Sequence, residues 1–197
     1  MIGVRASYAL KVTGTTSFTE SRNEVLTPHG VHALAGPILS TQLYQSLIGK
    51  RYPSFTLQIS ADRVRRYAEL IGDTNEIRLD SDAARAAGFR DITAPPTFGF
   101  TIALLAGQAE LALADLGVTV NETLHGEQRF DYFSPICAGD EVTGYQWIEE
   151  LKEKKNGALL FLVTRYELEN QLNQRVLAMA QTSIIPLNWS AHDVPGR

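Results

Sequence analysis

Hydrophobic and polar positions alternate at Phe55, Leu57 and Ile59, the two-residue period of a strand with one buried face. Ser60 then stands where a helix N-cap would, and Asp62 suits the positive end of the helix that follows. Val64, Tyr67, Ala68 and Ile71 recur at helical spacing until Gly72 stops the run. A second short helix fits Ser81–Ala87, closed by Gly88. Pro95 and Pro96 interrupt the chain just before an apolar stretch at about 97–116, a place that suits prolines because a helix's first N–H groups lack partners anyway. That stretch is apolar nearly all round, which predicts one long helix enclosed by the rest of the fold.

Strand signals follow. Phe130 and Tyr132 alternate with Arg129 and Asp131, and a turn over Pro135–Asp140 leads into three long strand-like segments, 141–151, 158–168 and 175–185. Asn156-Gly157 between two of these is a hairpin signal. A helix apolar on every side, followed by an antiparallel meander, implies an α+β fold with a sheet wrapped around one long central helix. The main domain is expected over 46–187, with a polar tail at 188–197. Residues 1–45 are Thr/Ser-rich, with a β-branched run at Tyr8–Val12 and a Pro/Gly-punctuated stretch from Pro28 to Pro37. They read as an extension over the main domain or as disorder.

Composition narrows the classes. A chain of 197 residues with 44% hydrophobic and 20% charged positions has the profile of an ordinary globular domain that needs neither disulfide nor metal to fold. One cysteine, Cys137, excludes an internal disulfide and favours the cytoplasm. A net charge of −4 without a basic block argues against a nucleic-acid partner. The longest apolar stretch, 98–116, contains Gln108, Glu110 and Asp115, so no membrane span is expected, and residues 1–20 hold no secretory-type apolar run.

Three stretches carry a resemblance. YAELIGDTNEIRLDSDAARAAGF at 67–89 resembles the MaoC/hydratase-2 segment, in which Gly-Asp-x-Asn-Pro-apolar-His precedes an alanine-rich helix. ITAPPTF at 92–98 is similar to the N-terminal MaoC or fungal fatty-acid-synthase-like dehydratase half, and HGEQRFDYFSPICAGDEV at 125–142 to the same group's strand and turn. The resemblance implies a hot-dog fold working on acyl thioesters, which adds water to a trans-2-enoyl group or removes it from an (R)-3-hydroxyacyl group. It implies no cofactor beyond the CoA or acyl-carrier phosphopantetheine of the substrate, and a homodimer or a heterodimer with a second hot-dog subunit.

Carried over position by position, the match is mixed. Asp73 and Asn75 keep the family's Asp and Asn, Glu76 replaces its proline, and Arg78 stands at its histidine. An arginine stays charged near neutral pH and cycles no proton, though it can hold a carboxylate ionised or bind an anion. Pro96 falls where the family places a backbone oxyanion donor and has no N–H, leaving the N–H of Thr97 or Phe98 to serve after a shift of register. Asp73, Arg78 and His125 are therefore the catalytic candidates, and Asn75, Thr97, Phe98 and Gly99 the substrate-binding ones. Plainer readings stand beside these. Asp73 is a turn residue, Arg78 an ion-pair partner of Asp73 or Asp80, and His125 a strand residue sharing a face with Glu127, Arg129 and Asp131. His29 and His32 have the spacing of a helical metal pair but no carboxylate nearby, so no metal site is expected, and Cys137 has no base to make it a nucleophile. Three functions stay open: a non-catalytic subunit of a hydratase/dehydratase, a hydro-lyase with a rearranged site, and a hot-dog thioesterase or acyl-binding protein.

Overall fold

The computed structural model describes residues 41–187, so Tyr8–Val12, His29, His32, the Pro28–Pro37 stretch, His192 and the tail lie outside the described residues. Helices α1 (Thr41–Leu47), α2 (Ala61–Leu70), α3 (Ser81–Ala86), α4 (Phe98–Leu105) and α5 (Leu111–Ala114) accompany strands β1 (Phe55–Gln58), β2 (Leu124–Tyr132), β3 (Glu141–Lys154), β4 (Leu159–Asn170) and β5 (Arg175–Pro186). The strands form one antiparallel sheet in the order β1-β3-β4-β5-β2, curled over α4, which is the α+β hot-dog fold.

Local chemistry accounts for these elements. Ser60 Oγ accepts the Arg63 N–H and starts α2, while Gly72 takes the left-handed backbone (φ 71°) that a β-carbon would oppose. The β3–β4 hairpin turns through left-handed Lys155, Asn156 and Gly157, where asparagine and glycine tolerate positive φ. Strand β4 alternates between inward residues such as Leu160, Leu162, Tyr166 and Leu168 and half-buried ones, as one-sided packing requires.

The long central helix is the main departure from expectation. It runs only from Phe98 to Leu105, breaks at Gly107 (φ 67°), passes through a 3-10 turn at Gln108–Glu110 and resumes as α5. Nor is it enclosed all round, because Leu104 and Leu105 are half exposed. The core divides accordingly. One cluster joins Phe98 and Ile102 to Ile59, Val64, Leu168 and Met179, and the other joins Leu113 and Leu116 to Tyr44, Ile148 and Leu162. Each such side chain removed from water stabilises the fold by about 1.5–3 kcal/mol.

Candidate functional site

The segment from Gly72 to Arg78 leaves α2 through a tight turn that its own polar side chains build. Asp73 Oδ1 accepts the Asn75 N–H at 3.1 Å, and Asn75 Oδ1 accepts the Ile77 N–H at 3.2 Å, capping a 3-10 turn over Glu76–Arg78. Asn75 itself is exposed and has a local structural task. Asp80, the other carboxylate considered for Arg78, caps α3 by accepting the Ala83 N–H at 2.7 Å.

Arg78 points inward from that turn. Its Nη1 donates to the hydroxyl of buried Thr93 and, at 3.0 Å, to the Ala94 carbonyl, while its Nε lies 3.6 Å from Asp73 Oδ2. The backbone returns the tie, since Thr93 N–H donates to the Ile77 carbonyl at 2.9 Å. The guanidinium therefore straps the Asp73 turn to the segment entering α4. Nε makes no hydrogen bond, so the ion pair with Asp73 is the interaction left to it. The Asp73 and Arg78 side chains are only 25% and 16% exposed, which makes the pair less screened than a surface one.

The start of α4 is occupied by tyrosines. Tyr132 on β2 donates its hydroxyl hydrogen to the Pro96 carbonyl at 2.7 Å, and the Gly99 backbone N–H acts on the same oxygen. Desolvation pushes this phenol well above its ordinary pKa, so it remains a neutral donor and acceptor. Tyr67 donates to Thr97 Oγ1 at 2.8 Å and lays its ring edge-on to Phe98, whose side chain is fully buried. Thr97 therefore makes no side-chain cap for the helix, and the Phe98 N–H is spent on the Pro95 carbonyl at 2.9 Å. Gly99 is a close-approach glycine, because a β-carbon there would collide with Leu177 Cδ2. The Thr97, Phe98 and Gly99 positions open α4, with the Tyr132 hydroxyl beside Gly99.

Beside this cluster opens a cavity of about 470 Å³ walled by Ile77, Phe89, Ala94, Tyr132 and Ile136, with Arg78 and Thr93 at its polar end. Pro135 and Ile136, which begin the Pro135–Asp140 turn, also line it. Asp140, fully buried, takes a bidentate pair from Arg90 (2.6 and 2.9 Å) and also accepts the Cys137 N–H at 2.8 Å. Burial raises the Cys137 thiol's pKa, as expected of a packed residue and not of a nucleophile. Among the described residues no cluster of His, Cys, Asp and Glu could hold a metal ion.

His125 needs a correction. It does not share a face with Glu127, Arg129 and Asp131, because a β-bulge between His125 and Glu127 inserts Gly126 and puts the exposed imidazole on the Ser183 side of the strand. His125 stands opposite buried Ser183 and meets the Phe100 ring edge-on at 5.3 Å, where desolvation lowers its pKa. Asp73, Arg78, Thr97, Phe98 and Gly99 come together at the head of α4, whereas the contacts of His125 are with the next part of that helix. The sequence marks Tyr132 and Tyr67 only as strand and helix residues, and Thr93 only as part of ITAPPTF, so none of the three is among its site candidates. The alternation of Phe130 and Tyr132 was the one signal that a tyrosine faced inward.

A sequence profile described as the FAS1-like dehydratase domain region matches residues 46–179. A UPF0336 protein of Streptomyces coelicolor is 34% identical over 136 residues, covering 68% of this chain and 89% of the relative. One from Saccharopolyspora erythraea is 31% identical, covering 72% and 90%. Among solved structures, the HadBC (3R-hydroxyacyl-ACP dehydratase) complex of Mycobacterium tuberculosis aligns with a TM-score of 0.59 at 22% identity, covering 68% of this chain and 92% of that one. The (R)-hydratase of A. caviae involved in PHA biosynthesis aligns at 0.55 and 19% identity, covering 71% and 96%. No helix among the described residues is long and apolar enough to cross a membrane.

Proposed function

The chain belongs to the FAS1-like, MaoC-like dehydratase-region family of hot-dog proteins, and from that premise we propose that it is an acyl-thioester-binding subunit that does not cycle a proton at its own Asp73 site. The observation that carries this reading is Arg78. It stands where a proton-cycling imidazole is expected and is held by Thr93, Ala94 and Asp73. A guanidinium stays protonated near neutral pH and neither takes nor gives a proton there. Proton abstraction beside a thioester carbonyl needs a base within hydrogen-bond reach, and that group then comes from a second hot-dog chain.

What remains in this chain suits binding. The cavity beside Arg78 has apolar walls for an acyl chain, and the Gly99 N–H becomes a carbonyl donor once the Tyr132 hydroxyl swings aside. The substrate class is a trans-2-enoyl or (R)-3-hydroxyacyl thioester, carrying its own CoA or phosphopantetheine and needing no further cofactor. The reading places the protein in the cytoplasm, in keeping with a lone, buried, unpaired Cys137.

Calorimetric titration of the full chain with butyryl-CoA tests it. Saturable binding is expected, weakened at least tenfold in Ile136→Asp, which puts a charge in the cavity wall, and not reproduced by CoA alone. Equal binding of CoA and butyryl-CoA would overturn the acyl site, and release of free thiol would replace the reading with a thioesterase.

A further inference from the structure

Of the side chains lining the cavity beside Tyr132, Arg78 alone is charged. A ligand entering between the apolar walls therefore meets a single positive charge at the polar end. That charge is only partly engaged. Nη1 makes both hydrogen bonds of the guanidinium, to the Thr93 hydroxyl and the Ala94 carbonyl, and Nε faces Asp73 at 3.6 Å. Nη2 is left without a hydrogen bond among the described residues and, unlike Nε, is not shut away from the surface. Asp73 does not line the cavity, and its Oδ1 is taken by the Asn75 N–H.

A second donor lies close by. The Gly99 backbone N–H and the charge of Arg78 both act on the Tyr132 hydroxyl, and Tyr132 lines the same cavity. A guanidinium and a backbone N–H donate hydrogen bonds and accept none. Two such donors near one another suit two acceptor oxygens on one ligand, and the guanidinium adds a preference for negative charge.

We propose that Arg78 selects acyl thioesters that carry a 3-oxo group, with the thioester oxygen on the Gly99 N–H and the 3-oxo oxygen on Nη2. The inference rests on the acyl-thioester reading and adds which acyl group the chain prefers. A 3-oxoacyl thioester holds two carbonyl oxygens in a 1,3 relation. It gives up its C2 proton to solvent water more readily than a simple thioester, and the enolate spreads one negative charge over both oxygens. A 3-hydroxyl group brings a hydrogen of its own, and no carboxylate lines the cavity to accept it. A saturated or enoyl chain offers Nη2 nothing.

Calorimetric titration of the full chain with acetoacetyl-CoA, 3-hydroxybutyryl-CoA, butyryl-CoA and succinyl-CoA tests the selection. Acetoacetyl-CoA is expected to bind more tightly than each of the others by about tenfold or more, as one hydrogen bond to a charged group allows. Its near-ultraviolet enolate absorption is expected to rise on binding. Arg78→Met also cuts the strap to Thr93 and Ala94, so its ligand order is read together with circular dichroism. The folded variant is expected to bind acetoacetyl-CoA and butyryl-CoA within about threefold of each other. Arginine side-chain NMR of the unaltered chain needs no substitution. The Arg78 guanidinium signals are expected to move with acetoacetyl-CoA and to stay in place with butyryl-CoA.

Butyryl-CoA or 3-hydroxybutyryl-CoA binding within tenfold of acetoacetyl-CoA overturns the selection and leaves the acyl-binding reading intact. Succinyl-CoA binding as tightly overturns it in favour of a carboxylate site. Unmoved Arg78 signals, or a folded Arg78→Met that keeps the preference, also overturn it. If none of the thioesters binds, the acyl-binding reading fails and takes this inference with it.

Discussion

Asp140→Ala tests how the cavity wall is held. The carboxylate is fully buried and carries four hydrogen bonds, two from Arg90, one from the Cys137 N–H, and one from Gln171 Nε2 at 3.2 Å. Around it the turn is tied to the Arg78 segment, since Ala94 N–H donates to the Ile136 carbonyl and Ala138 N–H to the Ile92 carbonyl, both at 2.8 Å. Breaking a buried pair from one side costs about 3–5 kcal/mol when it strands a buried charge. Arg90 is 50% exposed and can turn to water, so that part of the penalty is relieved. What remains is the buried Cys137 N–H without its acceptor, about 1–3 kcal/mol, together with the lost charge-assisted bonds. We expect a loss of roughly 3 kcal/mol for Asp140→Ala, and about half of that for Asp140→Asn, which keeps an acceptor for Cys137. Urea unfolding followed by circular dichroism should show a lower midpoint at unchanged slope, and a melting temperature lower by about 6–12 °C. A loss under about 1 kcal/mol for Asp140→Ala would refute the view that this carboxylate organises the turn.

Three further outcomes follow from the same contacts. Gly99→Ala, which in an open helix would stabilise, is expected to destabilise by about 1–3 kcal/mol because the new methyl meets Leu177; thermal melts read the sign. Tyr132→Phe removes the bond to the Pro96 carbonyl and should cost about 1–2 kcal/mol, read by urea unfolding. His125 has a folded-state pKa below its unfolded value of about 6.5, so the unfolded chain binds the extra proton first. Stability from this group is therefore present above about pH 6.5 and lost as pH falls through the lower folded value, and His125→Gln should flatten that part of the pH–stability curve.

Much of this arrangement was legible in the residue pattern, and the gaps have physical causes. The Phe55–Ile59 alternation, Ser60, Gly72 and Asn156-Gly157 act through nearest neighbours, so β1, α2 and the β3–β4 hairpin follow from local rules. The break at Gly107 was hidden because apolar residues continue on both sides of it and hydrophobicity carries no sign of a φ change. The bulge at Gly126 arises between two strands, so the spacing along β2 alone put His125 on the wrong face. At the site, the exchange of histidine for Arg78 could be read directly. That Arg78 would strap Thr93 and Ala94, or that Tyr132 would stand before Gly99, depends on segments distant in the chain.

Proton NMR of crotonyl-CoA with an equimolar amount of the pure full-length chain tests both acyl-thioester binding and the proposed lack of a proton cycle at Asp73. Broadened acyl resonances and no appearance of 3-hydroxybutyryl-CoA over hours are expected. Rapid formation of that product, abolished in Asp73→Asn, would contradict the proposal.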